Sequence, residues 1–263
     1  MFQRGTGHFA LVALLLVTML GACFAPNDVT WEQVRVSGVL RVGMDASFPP
    51  FESVASDGSL IGFDVALARE LSRRLGVEPQ FVANLPYDGL YDALTARRVD
   101  AVISALVVNP ARTADFTYSH AYFDAGEVLV LRNGDRAIRS VADLDRHDLG
   151  VVLGTMGDQE ARRWARRSEA LSILPYPTPR EALQAVNDGE VDAAVVDRVS
   201  ALEAMGAGYP VTVVGEPIVE APYAVAMRKD SQRLLRQINS ALTAMEADGT
   251  LDRLIANWLK GHP

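Results

Sequence analysis

Residues 39–76 constrain the fold of this chain more than any other segment of its sequence. The apolar run 39–44 predicts a buried strand, which leads through Asp45 and Phe48 into a loop that contains two adjacent prolines. Proline cannot donate to a β-ladder, so the strand has to end before them. Apolar residues at helical spacing then predict a helix over 63–75, which a following glycine ends. This order places an acid and an aromatic residue at the exposed end of a buried strand.

The same alternation of strand and helix recurs along the rest of the chain. Further strands are predicted at residues 79–83, 99–105, 149–153, 171–175 and 191–196, and further helices at about 88–97, 157–167, 179–189 and 198–206. Strand–helix–strand alternation favours parallel sheets joined by right-handed crossovers. At 93–102 a helix ends in a tight turn and a strand begins with Val-Asp-Ala, and a similar order is found at 185–194. This similarity indicates two lobes of similar build. Chance similarity of two amphipathic units is the alternative.

The first residues are typical of a secretion signal rather than of the folded domain. Arg4 precedes an apolar run at 9–20, which is too short to span a bilayer comfortably, since about 20 apolar residues are needed. Two small residues then stand directly before Cys23, so we predict a lipoprotein signal over 1–22, with Cys23 as the acylated first residue and 23–29 as a tether. An ordinary secretory signal with a chance cysteine, or an uncleaved anchor, is the alternative.

Composition excludes several classes of function. The net charge of −8 argues against nucleic acid as a partner. Cys23 is the single cysteine, so its acylation leaves no thiol for a disulfide, a metal or redox chemistry. The sequence has no glycine-rich phosphate loop, metal-ligand cluster or nucleophile elbow. We therefore predict no cofactor, no metal and no catalytic residue.

Polar and aromatic residues follow the predicted strands at the ends where open α/β sheets bind ligands. The candidate ligand-binding residues are Asp45, Phe48, Tyr87, Ser104, Ala105, Leu106, Arg112, Thr155, Met156 and Asp197. A guanidinium such as that of Arg112 holds a carboxylate through two parallel hydrogen bonds, and N–H groups at a helix start add to this. The carboxylate of Asp197 suits an ammonium. The set predicts a site for a small zwitterion.

The same motifs resemble extracellular solute-binding protein family 3, the periplasmic polar amino-acid-binding proteins of ABC importers. The resemblance rests on residues 103–106 followed by Arg112, on 153–155 and on 193–197, and it extends from about 39 to 258. It implies a two-lobed periplasmic binding protein fold, each lobe a mainly parallel sheet flanked by helices, with the ligand in the cleft between lobes.

The resemblance also implies a role for each candidate. In the family, the position of Arg112 clasps the ligand's α-carboxylate with help from Thr155 and the amide of Met156. The position of Asp197 holds the α-ammonium. The positions of Phe48 and Tyr87 sandwich the ligand side chain, which the position of Asp45 helps to select.

For the whole molecule, the resemblance implies lobe 1 from residues 30–126 and 220–263 and lobe 2 from 127–219. The lobes would be joined by hinge crossings near 126–128 and 217–221. Such a protein is a monomer that hands its ligand to ABC permease subunits and lies outside the cytoplasm. In this chain the lipid on the modified cysteine would attach it to the membrane.

Two residues depart from the family pattern. Val107 stands where the family usually has a serine or threonine that helps to bind the ammonium, and Met156 replaces a small or hydroxyl residue. A hydrogen bond to a charged group is worth about 1.5–3 kcal/mol. Val107 therefore indicates weaker binding of standard amino acids or a ligand with a differently substituted nitrogen.

Several candidates also have structural alternatives. Arg112 can be a surface arginine paired with Asp115, and Asp197 can simply cap the helix at 198–206. The remaining alternatives are core packing of Phe48 and Tyr87, a local turn cap at Asp45, and a solvated Glu127 near the first crossing.

Two other functions remain open at this level. Cyclohexadienyl dehydratases resemble the same family, and their chemistry needs a positioned general acid. Asp45, Glu127 or Asp197 serves only if burial raises its pKa. A sensory role, in which ligand occupancy is passed to a membrane signalling protein, is the third hypothesis.

Overall fold

The computed structural model of the protein describes residues 28–168 and 170–260. The predicted signal peptide over 1–22, the acylated Cys23 and most of the tether lie outside the described residues. Two five-stranded sheets dominate the fold, and helices flank both of them. The predicted α/β class is therefore confirmed.

Sheet 1 is built around the strand that begins the segment 39–76. In spatial order its strands are β5 (Glu78–Val82), β1 (Val39–Gly43), β6 (Ala101–Val102), β13 (Pro222–Arg228) and β7 (Phe116–Asp124). β1 pairs in parallel with both β5 and β6, whereas β13 runs antiparallel to β6 and β7. Three short strands, β2 (Ser47–Phe48), β3 (Glu52–Val54) and β4 (Leu60–Ile61), form a small antiparallel sheet beside it.

Sheet 2 follows the same plan. In spatial order its strands are β10 (Ser172–Tyr176), β9 (Asp148–Val152), β11 (Ala193–Asp197), β8 (Glu127–Arg132) and β12 (Val211–Val219). β10, β9 and β11 are parallel, and β8 runs antiparallel to β11 and β12. Each sheet thus combines a parallel half with antiparallel strands on its other side.

The helices in chain order are α1 (Thr30–Ser37), α2 (Phe63–Leu75), α3 (Leu90–Thr95), α4 (Met156–Ala165), α5 (Pro179–Asp188), α6 (Arg198–Gly206), α7 (Gln232–Ala247) and α8 (Thr250–Leu259). α2 has the predicted bounds, and Gly76 after it adopts the left-handed conformation with φ 70°. Thr178 caps α5 by accepting a hydrogen bond from the amide of Glu181 at 3.3 Å. None of the helices within the described residues is both long and apolar enough to cross a bilayer.

Two elements are shorter than the sequence predicts. The strand expected over 99–105 is reduced to β6, because the chain turns at Ala105, which has φ 43°. The helix expected over 88–97 begins with a 3₁₀ turn at Tyr87–Gly89 and continues as α3. Both changes leave polar backbone and side-chain groups at the end of sheet 1 that carries Asp45.

The core of sheet 1 lies between its strands and helices α2, α7 and α8. Apolar residues of β1 and α2 are buried against a stripe of α7 made of Leu234, Ile238, Leu242 and Met245, each with 0% of its surface exposed. Burying a leucine-sized side chain stabilises a fold by about 1.5–3 kcal/mol. The α7 stripe therefore fixes the chain's last segment onto sheet 1.

The two connections between the sheets run side by side. The amide of Ala125 donates to the carbonyl of Ala221 at 3.1 Å. The carboxylate of Asp124 accepts hydrogen bonds through one oxygen from the amides of Gly126, at 2.8 Å, and Ala221, at 3.0 Å. A Cβ atom on Gly126 would lie 1.8 Å from the carbonyl oxygen of Val219, so only glycine fits between the two segments.

Gly126→Ala is expected to lower the free energy of unfolding by about 1–3 kcal/mol, because the added methyl group forces the two connections apart. Chemical denaturation followed by circular dichroism measures the change. Gly89→Ala is the matched control, since its Cβ would lie no closer than 3.1 Å, against the ring of Pro86. Equal stabilities of the two variants would show that the close contact at Gly126 is unimportant.

Candidate functional site

A cavity of about 320 Å³ lies at the carboxyl ends of β1 and β6. It is lined by Asp45, Ser47, Phe48, Glu52, Tyr87, Ser104, Ala105, Val107 and Tyr223. Five candidate ligand-binding residues of the sequence thus share one cavity: Asp45, Phe48, Tyr87, Ser104 and Ala105. This is the edge at which parallel strands present ligand-binding groups.

Two aromatic rings form the exposed part of this cavity. Phe48 and Tyr87 each have 50% of their surface exposed, so neither is a core residue. Phe48 is held by stacking on Phe51, with the ring centroids 5.7 Å apart and the ring planes inclined by 11°. Burial of one side of Tyr87 raises the pKa of its hydroxyl. Half-exposed rings in a cavity provide flat apolar surfaces for a ligand.

A chain of hydrogen bonds crosses the cavity floor. The hydroxyl of Ser47 donates to the Asp45 carboxylate at 2.7 Å, and the Asp45 amide donates to the hydroxyl of Ser104 at 3.0 Å. Ser104 in turn donates its hydroxyl proton to Glu52 Oε1 at 2.7 Å. Because that proton is already used, Ser104 presents no free donor to a ligand. Asp45 also lines the cavity, and its carboxylate is a group that can accept hydrogen bonds from a cation.

Two acids of this floor are buried: Glu52, which lines the cavity with 1% of its surface exposed, and Asp64, which lies behind the lining with 0% exposed. One carboxylate oxygen of Asp64, Oδ2, accepts hydrogen bonds from the amide of Ala105 at 2.5 Å and from the hydroxyl of Tyr122 at 3.1 Å. Burial raises the pKa of both carboxyl groups, and the neighbouring charges of Asp64 and Asp45 raise that of Glu52 further.

Sequence reasoning missed three residues that line the cavity: Ser47, Glu52 and Tyr223. The first two lie within the loop and the short hairpin that follow β1, where no period of strand or helix marked them. Tyr223 is the second residue of β13, far along the chain, and reaches the cavity because Val107 pairs with it in an antiparallel bridge. The sequence offered one signal for Tyr223, namely its position just after the second crossing predicted at 217–221.

Val107, whose departure from the family pattern was noted, lines the cavity with 40% of its surface exposed. Leu106 is different, because its side chain is 2% exposed and packs in the core with Leu90 and Phe116. Its carbonyl accepts a hydrogen bond from the amide of Ala224 at 3.1 Å. Contact between Leu106 and a ligand stays a prediction, and it can involve only the backbone amide in this arrangement.

Arg112 lies outside the aromatic cavity. Its guanidinium carbon sits 4.5 Å from the centroid of the Tyr91 ring, and the residue lines a neighbouring cavity of about 520 Å³ with Asp115 and Lys229. The hydroxyl groups of Tyr91 and Tyr118 are 2.9 Å apart, which fixes the ring beneath the guanidinium. A cation above a tyrosine face gains about 0.5–1 kcal/mol at an exposed site. The clasping role of Arg112 therefore stays a prediction.

The remaining candidates lie on sheet 2 and do not line the aromatic cavity. Thr155 caps α4, since its hydroxyl oxygen accepts from the Asp158 amide at 3.2 Å while the hydroxyl donates to the Val152 carbonyl at 3.0 Å. Met156 begins α4 with 48% of its surface exposed. Asp197 caps α6, accepting from the amide of Ser200 at 2.9 Å and from its hydroxyl at 2.7 Å. The capping role proposed for Asp197 as an alternative is therefore present, and a ligand role stays a prediction.

Glu127 stands beside Asp197 on the neighbouring strand, because the two residues are direct partners in the β8–β11 register. Burial raises the pKa of the Glu127 carboxyl, while the amide of Gly157 and the hydroxyl of Thr155 oppose this rise and Asp197 adds to it. A Cβ atom on Gly157 would lie 2.8 Å from Glu127 Oε2 and 2.5 Å from Val195 Cγ1, so glycine is required there. Glu127 is half-buried at the start of α4 rather than solvated.

Across the described part of the chain, histidine and acidic side chains form no group of three or more that is arranged to hold a metal ion. The candidate site is thus built from carboxylates, hydroxyls, aromatic rings and backbone amides. Such groups bind and orient a small polar molecule.

Comparison with known proteins gives consistent results. The model of the family described as bacterial extracellular solute-binding proteins, family 3, matches residues 40–261. The L-cystine-binding protein TcyJ of Escherichia coli (strain K12) is 30% identical over 259 residues, which cover 96% of this chain and 95% of the relative.

Solved structures of related proteins agree with this family match. The ancestral cationic amino acid solute binding protein is 34% identical with a TM-score of 0.61, and the match covers 88% of this chain and 100% of that one. An ancestral cyclohexadienyl dehydratase is 27% identical with a TM-score of 0.75, covering 88% of this chain and 96% of that one.

Ser104→Ala is expected to lower the free energy of unfolding by about 1–3 kcal/mol, because it leaves both Glu52 Oε1 and the Asp45 amide without their partner in a buried site. Chemical denaturation measures the loss. Ser47→Ala removes a single exposed hydrogen bond to Asp45 and is the matched control, with an expected change within about 0.5 kcal/mol. A Ser104 variant as stable as this control would contradict the network.

Proposed function

Because this chain belongs to the bacterial extracellular solute-binding proteins, family 3, we propose that it captures an amino acid or a related small zwitterion outside the cytoplasm and delivers it to an ABC-type permease. The observation that carries the proposal is the aromatic cavity, in which the exposed rings of Phe48 and Tyr87 stand beside the Asp45 carboxylate. Rings and carboxylate together suit a ligand side chain that is partly apolar and carries a positive charge.

The ligand's main-chain groups are proposed to bind across both sheets. We assign lobe 1 to residues 30–126 and 220–263 and lobe 2 to 127–219, which keeps each five-stranded sheet within one lobe. Closure of the lobes brings the start of α4 and the Asp197 carboxylate towards the aromatic cavity. A ligand drives such closure only if it binds the closed form more tightly than the open one.

Because Arg112 lies outside the aromatic cavity, its guanidinium is proposed to move from the Tyr91 ring when it clasps a ligand carboxylate. The exchange is favourable on magnitudes, since a cation–π contact at an exposed site contributes about 0.5–1 kcal/mol, whereas each charge-assisted hydrogen bond contributes about 1.5–3 kcal/mol. A guanidinium can make two such bonds to one carboxylate. Tyr91 therefore serves as a resting position for Arg112 in the absence of ligand.

The charge balance of the site favours a ligand with more positive than negative charge. Asp45 lies beside Tyr87 in lobe 1, and Asp197 and Glu127 lie in lobe 2. The proposed site thus has three carboxylates and a single guanidinium, that of Arg112. The structural likeness to an ancestral cationic amino acid solute binding protein agrees with this balance. Arginine and lysine are therefore the first ligands to test, with histidine and cystine as comparison ligands of lower net charge.

The membrane attachment and the partners are proposed from the sequence. Acylation of Cys23 would hold the protein at the membrane through the tether 23–29, as a monomer next to its permease. A sensory role differs only in the membrane partner that reads the closed form. Genes for a permease and an ATPase beside this gene would favour import.

An enzymatic function is the second candidate, and two observations favour it. Glu127 is an acid whose pKa burial raises, which is the property that a general acid for dehydration requires. The likeness to an ancestral cyclohexadienyl dehydratase points the same way. Incubation of the purified protein with prephenate or arogenate decides between the two functions. Turnover of either compound would show that the protein is an enzyme and would contradict the binding function.

Arg112→Ala is expected to abolish the thermal stabilisation that a bound amino acid gives, because the variant cannot hold the carboxylate. A ligand at about 100 times its Kd stabilises the folded protein by about 2.7 kcal/mol, which a thermal-shift screen detects. Arg98→Ala removes another exposed arginine of lobe 1 and is the control, which should keep the full ligand-induced thermal shift. Retained stabilisation in the Arg112 variant would contradict the assignment.

Val107→Ser is expected to tighten the binding of a common L-amino acid about 10- to 100-fold, because it adds a hydroxyl acceptor for the ammonium. Isothermal titration of the variant and the wild type measures the ratio of Kd values. Val36→Ser, on the exposed face of α1, should leave the Kd unchanged. No gain across the panel would indicate a ligand without a free ammonium.

A further inference from the structure

Beneath the aromatic cavity, Glu52 and Asp64 form an acid pair that the proposed ligand contacts do not use. Glu52 is 1% and Asp64 0% exposed, although two carboxylates side by side are costly to bury. Each group has one oxygen that accepts a hydrogen bond from residues 104–105, namely Glu52 Oε1 from Ser104 and Asp64 Oδ2 from Ala105.

The other oxygen of each acid has no donor. Glu52 Oε2 and Asp64 Oδ1 are buried and lack a hydrogen-bond partner. The charge of Asp64 and a hydrogen bond with it raise the pKa of Glu52, so the two carboxyl groups are direct neighbours. A single proton between them would satisfy both of these oxygens, and it would remove the repulsion of two adjacent negative charges.

We propose that Glu52 and Asp64 share one proton at neutral pH, and that this proton bridge fixes the Ser104–Ala105 segment in the shape that forms the cavity floor. Asp64 Oδ2 already accepts from Ala105 and Tyr122, so Asp64 is the carboxylate. Glu52 accepts from Ser104 alone and donates its proton from Oε2 to Asp64 Oδ1. Both acids are positioning residues rather than ligand contacts.

Among the described residues, the titratable groups that act most strongly on the pair carry no positive charge. The titratable groups that act on the two acids come from the loop after β1, the 3₁₀ turn, β7 and β13, and they are Asp45, Tyr87, Tyr122 and Tyr223. All four are acids, so none of them supplies a positive charge. Burial also raises the pKa of Glu52, which agrees with a retained proton.

The bridge matters for the cavity because of the backbone that it holds. Ala105 has φ 43°, in the left-handed region that residues other than glycine rarely adopt, and its amide points at Asp64. Ser104 meanwhile holds the Asp45 amide at 3.0 Å. Loss of the proton would push the two acids apart and release the segment that connects Asp45 to the cavity.

A stability measurement on the ligand-free protein tests the bridge. Glu52 is proposed to keep a proton in the folded protein that it loses in the unfolded chain above about pH 4.3, so folding is linked to the uptake of one proton. Raising the pH therefore favours unfolding. The unfolding equilibrium constant of the wild type should gain a factor of about ten per pH unit between about pH 6 and pH 8 from this one group.

Two isosteric variants remove this dependence. Glu52→Gln keeps an oxygen for Ser104 and places an amide donor towards Asp64, and Asp64→Asn keeps an oxygen for Ala105 and Tyr122 and places a donor towards Glu52. In each, the ratio of the wild-type to the variant unfolding constant should rise about tenfold per pH unit. Glu78→Gln, an exposed glutamate on β5, should follow the wild type at every pH.

Parallel pH profiles of the wild type and Glu52→Gln would overturn the proposal. If a variant does not fold, infrared spectroscopy of the wild type decides, since a protonated carboxyl group must absorb at neutral pH and disappear on titration to alkaline pH. Absence of that absorption would also overturn it. Both measurements use the free protein, so their failure is independent of whether the ligand of the proposed function is found.

Discussion

β1 lies between β5 and β6 in sheet 1, and the parallel pairing of these strands positions the rest of the candidate site. Because β1 and β6 end at the same edge, the residue after β1 meets the segment after β6, and the Asp45 amide donates to Ser104. The segment after β6 then pairs with the start of β13, which brings Val107 and Tyr223 together. A slip of one residue in β1 would move the Asp45 amide away from Ser104.

The cavity floor depends on polar groups that are buried as well as on strand pairing. Glu52 and Asp64 lie beneath it, and each is connected to the backbone or side chain of consecutive residues after β6. Removing one partner from such a network leaves the others unsatisfied, which costs more than the hydrogen bond itself contributes. The network thus confines the Ser104–Ala105 segment to one shape, while Phe48 and Tyr87 above it stay exposed.

Much of the fold follows from local sequence patterns. The bounds of α2 were predicted correctly because an apolar stripe and a left-handed glycine both mark them, and β11 could be recognised from its run of buried alanine and valine. The sequence placed Asp45, Phe48, Tyr87, Ser104 and Ala105 at one sheet edge by topology alone. Glu52 was missed because its burial depends on Ser104 and Asp64, which come from other elements. The contact of Arg112 with the Tyr91 ring was missed because it is a tertiary contact that no sequence period reports.

The single oxygen of Asp124 that accepts from both Gly126 and Ala221 also ties the two connections between the sheets to each other. Two independent connections would allow one sheet to twist, shear or bend against the other. Because Asp124 joins both connections, and Gly126 packs against Val219 with no room for a methyl group, they have to rotate together as one strap. In the closure proposed for the two lobes, relative motion of the sheets would be reduced to bending about this strap, and the residues of sheet 2 would return to the same place over the cavity each time.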